Sequence, residues 1–427
     1  MTPLEASRRR ILLRLLVAAP CMSAQATQAS SARAGLAQAA APGGWQRPPS
    51  STERPRLRVG VSGPFSGPSA PMGLSMRDGI RIATAELNSG GGLLGRYIEL
   101  VERDDEASNE LGALIVRDFI NRERVVAGLG IVNTGVALAS QRLYQAARIP
   151  VITSVATGSL ITRQFQAPEF PENYIFRVSA NDTLQAEVIV EEAVVSRGFT
   201  RLAILHDATN YGVLGKNDLE AALQRRGLAP VAVERFQLQQ TEMRAPLERA
   251  RQAGAQAVLT YGIGPELAHI ANERARMGWA VPIIGSWTLA MSSFIEIAGP
   301  NAEGVRMPQT FIEQPRTPRQ TDFLAAWKAL TGSARIPVPP AAAQGYDSML
   351  LLAAAIRQAA SADGPAIRAA LENLAAPVEG VIMTYRHPYS ASNHETLNTP
   401  RQIHLGEIRN GRIVFAREAT VEDSPSP

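Results

Sequence analysis

Two short polar turns in the first half of the chain carry the residue types that bind an anion. One turn, Asn133-Thr134-Gly135, follows an apolar run that ends at Gly130, and the other, Ser154 to Gly158, follows the apolar run Val151 to Thr153. Asn133 or Thr134 can cap the helix that starts there, and the backbone N–H groups of a helix start favour an anion. Two adjacent turns of this kind can hold one carboxylate between them. From the residues alone, ordinary helix caps without a ligand are an equally good interpretation.

The chain lacks the residue patterns of common catalytic and metal sites. No GxSxG or HExxH motif occurs, the five histidines are scattered, and Cys21 is the single cysteine. His206 ends a strand-like run, where a lone histidine is more often structural than catalytic. Gly90-Gly91-Gly92 follows a helix and lacks the GxxxxGK[ST] pattern, so it indicates a helix end rather than a phosphate loop. We therefore expect no enzymatic activity, no metal and no cofactor.

The positive charge is concentrated at the N-terminus. The whole chain carries a net charge of +4, and eight arginines against two glutamates give residues 1–56 a net charge of +6. The remaining residues therefore carry −2. Because nucleic-acid binding needs a basic folded surface, we expect no nucleic-acid partner.

The turns are positioned by a regular alternation of strands and helices from Leu57 onward, which predicts an α/β fold with doubly wound parallel sheets. The candidate strands are 57–62, 97–103, 125–129, 150–153, 201–206, 231–236, 256–261, 282–286 and 304–308, and the clearest helical patterns are 134–148, 183–197, 211–227, 265–277, 319–331 and 343–360. Open α/β sheets bind ligands at the carboxyl ends of their strands, where these turns lie.

We predict that the chain crosses between two lobes three times, near 177–179, 307–311 and 379–385. The predicted fold is therefore two doubly wound parallel-sheet lobes joined by a three-strand hinge. The predicted boundaries are 57–178 and 309–380 for lobe 1, 179–308 and 381–418 for lobe 2, and 419–427 for a tail.

The N-terminus has the features of an export signal. Arg8-Arg9-Arg10 precedes a short apolar stretch, and Ala24-Gln25-Ala26 places small residues at a cleavage site. The stretch is shorter than the roughly 20 apolar residues that span a bilayer. We predict a signal peptide over 1–26, of the Sec or twin-arginine type, and a disordered linker over 27–56, which places the protein in the periplasm.

The segment from Val59 to Arg96 resembles the opening of a known family, the periplasmic ABC-transporter substrate-binding proteins of the leucine/isoleucine/valine-binding type. The matching residues are Pro64-Phe65-Ser66-Gly67-Pro68, Gly73, Gly79, Asn88, Gly91-Gly92 and Gly95. The resemblance extends over roughly residues 57–416. It implies a type 1 periplasmic binding fold that encloses a small-molecule ligand between two lobes. It also implies a monomer that delivers the ligand to an ABC-type membrane permease.

The resemblance also implies a set of ligand contacts. Asn133 falls where the family uses a serine for the ligand carboxylate, Thr157 where a threonine grips the head group, and Tyr211 where a tyrosine closes over the ligand. The alternative for Tyr211 is an aromatic ring that packs on its own lobe. The full set of candidate residues is Met72, Asn133, Thr134, Val155, Ala156, Thr157, Tyr211, Ile263 and Trp287.

One position departs from the family in a way that bears on the ligand. Trp287 stands where the family carries a glutamate that pairs with a ligand ammonium. A buried ammonium without a partner is costly, and an indole offers a flat apolar face. We therefore expect an aromatic or aliphatic carboxylate without an amine. The alternative is that Glu266 or Asp347 supplies the charge from another turn, which would keep an amino acid as the ligand.

The sequence thus favours an extracytoplasmic solute-binding protein for a small carboxylate-bearing ligand, amino-acid-like or an aromatic or aliphatic acid. The second interpretation is a binding protein of the same fold that signals through a partner receptor instead of feeding a transporter.

Overall fold

The computed structural model describes residues 54–416. The predicted signal peptide (1–26), all but the last residues of the predicted linker (27–56), Cys21 and the predicted tail (419–427) lie outside this range. The first strand begins at Arg56, inside the segment predicted as linker.

The first sheet consists of five parallel strands in the order β2-β1-β3-β4-β5. The strands are β1 (Arg56–Gly63), β2 (Tyr97–Asp104), β3 (Ala127–Gly130), β4 (Val151–Thr153) and β5 (Ile175–Arg177). They are joined by the helices α1 (Ala70–Ser89), α2 (Asn109–Asp118), α3 (Thr134–Ala147) and α4 (Leu160–Arg163). Strands β3, β4 and β5 are buried throughout, as expected for a parallel sheet covered on both faces.

The second sheet has seven strands in the order β14-β13-β10-β9-β8-β6-β7. The strands are β6 (Leu202–Asp207), β7 (Ala232–Phe236), β8 (Ala257–Tyr261), β9 (Ile283–Gly285), β10 (Arg306–Gln309), β13 (His404–Arg409) and β14 (Arg412–Phe415). The helices of this half are α5 (Asp182–Val190), α6 (Asn210–Gln224), α7 (Arg244–Gln252), α8 (Pro265–Arg276) and α9 (Ser292–Ala298).

The last two strands of the second sheet run antiparallel, so this sheet is mixed rather than wholly parallel. A tight turn at Asn410 and Gly411 joins β13 to β14, and both residues have positive φ. A turn of this length can only join antiparallel neighbours, because a parallel pair needs a crossover of a dozen or more residues.

Three later helices complete the first lobe: α10 (Pro318–Thr331), α11 (Pro339–Ala359) and α12 (Gly364–Glu372). Helix α11 packs along α1 at very short range. A Cβ on Gly79 would lie 2.0 Å from the Ala342 carbonyl oxygen, and a Cβ on Gly345 would lie 2.2 Å from the Met76 carbonyl oxygen. Glycine is therefore required at both positions for the two backbones to approach each other.

Within the described range the chain passes between the two sheets after β5, after β10 and after a short hairpin formed by β11 (Val378–Glu379) and β12 (Thr384–Tyr385). Asp347 of α11 anchors the third passage. Its carboxylate accepts hydrogen bonds from the Val381 N–H (2.6 Å), the Ile382 N–H (3.0 Å) and the Tyr385 hydroxyl (2.8 Å). The path onward to β13 touches the first sheet at Glu395, which bridges to Arg177 of β5.

The largest apolar cluster lies around β1, α1 and α11 and also includes Trp287 and Met291, which follow β9 of the second sheet. The two lobes are therefore in direct apolar contact. Over residues 54–416, every helix is too short or too polar to cross a bilayer.

Candidate ligand-binding site

The helix that follows β3 begins without a side-chain cap. Asn133 occupies the N-cap position of α3, as the sequence indicated, but its side chain makes no capping hydrogen bond. The Asn133 amide nitrogen instead lies 3.4 Å from the Ser69 hydroxyl, and Ser69, the N-cap of α1, also makes no side-chain capping bond. In α1 the Ala70 and Met72 N–H groups donate to the Gly67 and Ser69 carbonyls, so of the two helices only α3 has first-turn N–H groups without a capping partner of this kind.

The second polar turn is held against the first. The Gly158 N–H donates to the Thr134 hydroxyl at 3.3 Å, and the Ala156 N–H donates to the Ile131 carbonyl at 3.0 Å. Ser154 is the first residue of this second turn, and its buried hydroxyl has no hydrogen-bond partner in the described part of the chain. A helix start and an unpaired hydroxyl together suit a carboxylate.

Asp182 at the start of α5 faces the second polar turn from the other lobe. Its backbone N–H donates to the Thr157 carbonyl at 2.9 Å, and the Tyr261 hydroxyl donates to one carboxylate oxygen at 2.8 Å. The other carboxylate oxygen is buried. The Thr157 hydroxyl lies close to this oxygen but makes no hydrogen bond of normal geometry with it. Burial raises the pKa of Asp182 to about 7.

Tyr211 lies in the second lobe among apolar residues of that lobe. Its ring packs against Tyr261 with centroids 5.1 Å apart, so it does pack on its own lobe. The hydroxyl approaches Ser286 and Thr288 but makes no hydrogen bond of normal geometry. Burial raises the pKa of Tyr211 well above its ordinary value, so the phenol stays neutral.

The start of α6, beside Tyr211, differs from the start of α3 because a side chain of its own turn caps it. The Thr209 hydroxyl caps α6 by accepting from the Gly212 N–H at 3.3 Å, and one oxygen of Asp207 accepts from the Thr209 N–H at 2.9 Å. His206 bonds the neighbouring Asp207 carbonyl at 2.8 Å, as expected for a structural histidine. The start of α6 thus carries a side-chain cap, which the start of α3 lacks.

Trp287 contacts both lobes. Its backbone N–H donates to Gln185 of α5 at 3.2 Å, and its ring belongs to the first-lobe apolar cluster together with Met72 and Val155. Ile263 is partly buried and packs against the apolar clusters of both lobes. The indole N–H of Trp287 is buried without a partner among residues 54–416.

The structure therefore brings Asn133, Thr134, Val155, Ala156 and Thr157 together on one lobe. Two of the second-lobe candidates, Ile263 and Trp287, pack directly against that lobe's apolar cluster. Tyr211 packs instead against Tyr261 and the apolar residues of the second lobe.

A profile described as "Periplasmic binding protein" matches residues 56–411. The chain belongs to the periplasmic binding protein family. A leucine/isoleucine/valine-binding protein homologue of Brucella melitensis is 24% identical over 328 residues, which cover 77% of this chain and 86% of that one.

Solved structures agree with this family assignment. A leucine-binding protein from Thermotoga maritima superposes with a TM-score of 0.75 at 22% identity, covering 86% of this chain and 99% of that one. A solute-binding protein of an ABC transporter from R. palustris, solved in complex with benzoate, gives a TM-score of 0.72 at 22% identity, covering 84% and 95%. These similarities show the type 1 periplasmic binding fold with two lobes, and family and neighbours are solute-binding proteins rather than enzymes.

The two acids considered as substitutes for the family's glutamate in this periplasmic binding protein both have partners within the chain. Asp347 is occupied by the backbone of the third passage. Glu266 accepts a hydrogen bond from the Gln239 N–H, next to β7. Asp182 is instead the buried acid that meets the first-lobe turns. Asp182 stands at the first crossing between the lobes and at a helix start, and this position in the sequence could have marked it as a candidate site residue. Its burial, however, depends on how the lobes pack.

Proposed function

We propose that this periplasmic binding protein captures a small carboxylate-bearing ligand between its two lobes and delivers it to an ABC-type permease. The observation that carries the proposal is the start of α3, which has no side-chain cap, next to the unpaired Ser154 hydroxyl. A carboxylate placed there accepts hydrogen bonds from N–H groups at the positive end of α3. Thr157 borders the same space and supplies a further hydroxyl.

The similarity to a leucine/isoleucine/valine-binding homologue and to a protein solved with benzoate supports this ligand class, because both named ligand types carry a carboxylate. The presence of Asp182 keeps amino acids within the class, whereas Trp287 favours a ligand with an apolar or aromatic body. The proposed site residues remain those predicted from the sequence, with Ser154 and Asp182 added.

We further propose that the protein is exported to the periplasm, acts as a monomer and binds no nucleic acid. The slightly acidic charge of residues 57–427 supports the last point. Loss of uptake of the best-binding ligand in cells that lack the protein would support delivery to a permease.

A thermal-shift panel of the purified protein tests the ligand class. The panel contains amino acids, amine-free aromatic and aliphatic acids, and the amides of the same compounds. A ligand at 100 times its Kd should stabilise the protein by about 2.7 kcal/mol, which a melting curve resolves easily. We expect carboxylates to raise the melting temperature and their amides to have little effect. Equal shifts by acids and amides would contradict the carboxylate site.

The variant Thr157→Val tests the head-group contact. Loss of one hydrogen bond to a charged group should weaken carboxylate binding by about 1.5–3 kcal/mol, or roughly 10- to 150-fold in Kd. The matched control is Thr331→Val, at the end of α10, whose hydroxyl bonds its own helix. An unchanged Kd in Thr157→Val would show that Thr157 does not hold the carboxylate.

A further inference from the structure

A narrow cavity lies at the hinge side of the cleft, where the three passages between the lobes meet. Its lining includes Ala180, Gln309 and Ile403 from the three passages, Gln344 of α11, and the site residues Thr157 and Trp287. Its volume of about 10 Å³ leaves room for a group about the size of one water molecule. We call it the hinge-side cavity.

Gln309 lines this cavity and carries an unpaired acceptor. The side chain is only 1% exposed. Its amide nitrogen donates to the carbonyls of Trp287 (3.3 Å) and Pro308 (2.7 Å). Because a carbonyl can only accept, these two bonds fix which end of the amide is nitrogen. The Gln309 oxygen is then left buried without a partner in the described chain.

A second acceptor and a donor line the same cavity. Gln344 is 3% exposed, and its amide nitrogen donates to the Thr310 hydroxyl at 2.9 Å. Its amide oxygen is buried and, within residues 54–416, lacks a hydrogen-bond partner, as does the indole N–H of Trp287. A buried polar atom without a partner destabilises the fold, so three of them around one cavity indicate that a bound group satisfies them.

The group that fits is uncharged. No charged side chain lines the hinge-side cavity. An ammonium or a carboxylate placed there would lose its hydration without gaining a counter-charge. A hydroxyl both donates and accepts, matches the mixture of amide oxygens and indole N–H, and is small enough for the space.

We propose that the hinge-side cavity receives a hydroxyl of the bound ligand, so that the preferred ligand is a hydroxylated carboxylate. The inference rests on the proposed function, because Thr157 borders both the carboxylate turns and this cavity. Gln309 belongs to one of the passages between the lobes, so the hydroxyl contact joins the ligand to the segment that moves with lobe closure.

Matched probe pairs that exchange a hydroxyl for a methyl group test the proposal by calorimetry. The pairs are threonine and valine, 3-hydroxybutyrate and 3-methylbutyrate, and 4-hydroxybenzoate and 4-methylbenzoate. In at least one pair, the hydroxyl member should bind the wild-type protein at least tenfold more tightly. This preference should fall to threefold or less in Trp287→Phe and in the double variant Thr310→Val/Gln344→Met.

Gln145→Met is the control, because both polar atoms of Gln145 are bonded within the first lobe, to Tyr174 and Glu172. It should keep the preference for the hydroxyl. Methyl members that bind as tightly as hydroxyl members in every pair would overturn the proposal, as would a preference that the cavity variants leave intact. If neither member of any pair binds the folded wild type, the carboxylate function itself fails.

A measurement without ligand decides the inference independently. In Thr310→Val/Gln344→Met both partners of one hydrogen bond are replaced by apolar groups and an unpaired acceptor is removed. The melting temperature should therefore equal or exceed that of the wild type. A fall of about 2–4 °C or more would show that these groups form a structural network, and would overturn the proposed subsite.

Discussion

At the scale of single residues, burial sets the protonation chemistry of Asp182. The side chain is 0% exposed, and Asp218 raises its pKa further while Arg177 opposes that effect. With a pKa of about 7, the carboxylate is near half-ionised at neutral pH. Its protonation state can therefore follow the charge of the group that a ligand places beside it.

The pH dependence of binding should report this group. An amine-bearing ligand needs the ionised carboxylate, so its affinity should rise between pH 6 and pH 8, whereas the affinity of an amine-free acid should fall over the same range. Asp182→Asn should flatten both profiles in calorimetric titrations. Glu220→Gln, at a half-buried position of α6 paired with Lys216, should leave them unchanged. Flat profiles for the wild type with both ligand classes would exclude Asp182 from the site.

At the scale of elements, α11 joins the first lobe to the third passage between the lobes. Its glycine contacts with α1 fix the helix close to the first sheet, and Asp347 holds the β11–β12 hairpin by its two backbone N–H contacts. Asp347, the acid that the sequence offered as an alternative partner for a ligand ammonium, is therefore a structural anchor.

Asp347→Asn should destabilise the protein by about 1–3 kcal/mol at pH 7, because an amide cannot accept all three hydrogen bonds. Burial raises the pKa of Asp347 to about 6. The folded state therefore holds a proton that the unfolded state loses near pH 4, and this group's contribution to stability falls as the pH rises from 4 to 6. Urea unfolding of wild type and variant at pH 4.5 and pH 7 measures both effects. Asp322→Asn on exposed α10 is the control, and equal losses in both variants would contradict the anchor.

At the scale of the whole molecule, Trp287 and Ile263 couple the ligand to lobe closure. They follow strands of the second sheet and pack against the first lobe, so their contacts exist only when the lobes are together. A ligand that binds between the lobes stabilises the closed arrangement by its differential affinity for the two states.

Ligand binding should consequently change tryptophan emission and reduce the radius of gyration in small-angle scattering. The emission change should disappear in Trp287→Phe and persist in Trp327→Phe, since Trp327 lies in the first-lobe core and donates to the Arg335 carbonyl. An emission change retained in Trp287→Phe would place Trp287 outside the moving interface.

The sequence by itself determined the alternation of strands and helices, the position of the polar turns and the family. These follow from local periodicity, from turn chemistry and from the residue pattern of the segment from Val59 to Arg96. Only the tertiary structure decided the content of the cleft. Asp182, Gln309 and Gln344 stand far apart in the chain, and their burial depends on how the two lobes pack. Periodicity predicts which face of an element is buried, but it does not predict which polar atoms remain unpaired where two lobes meet.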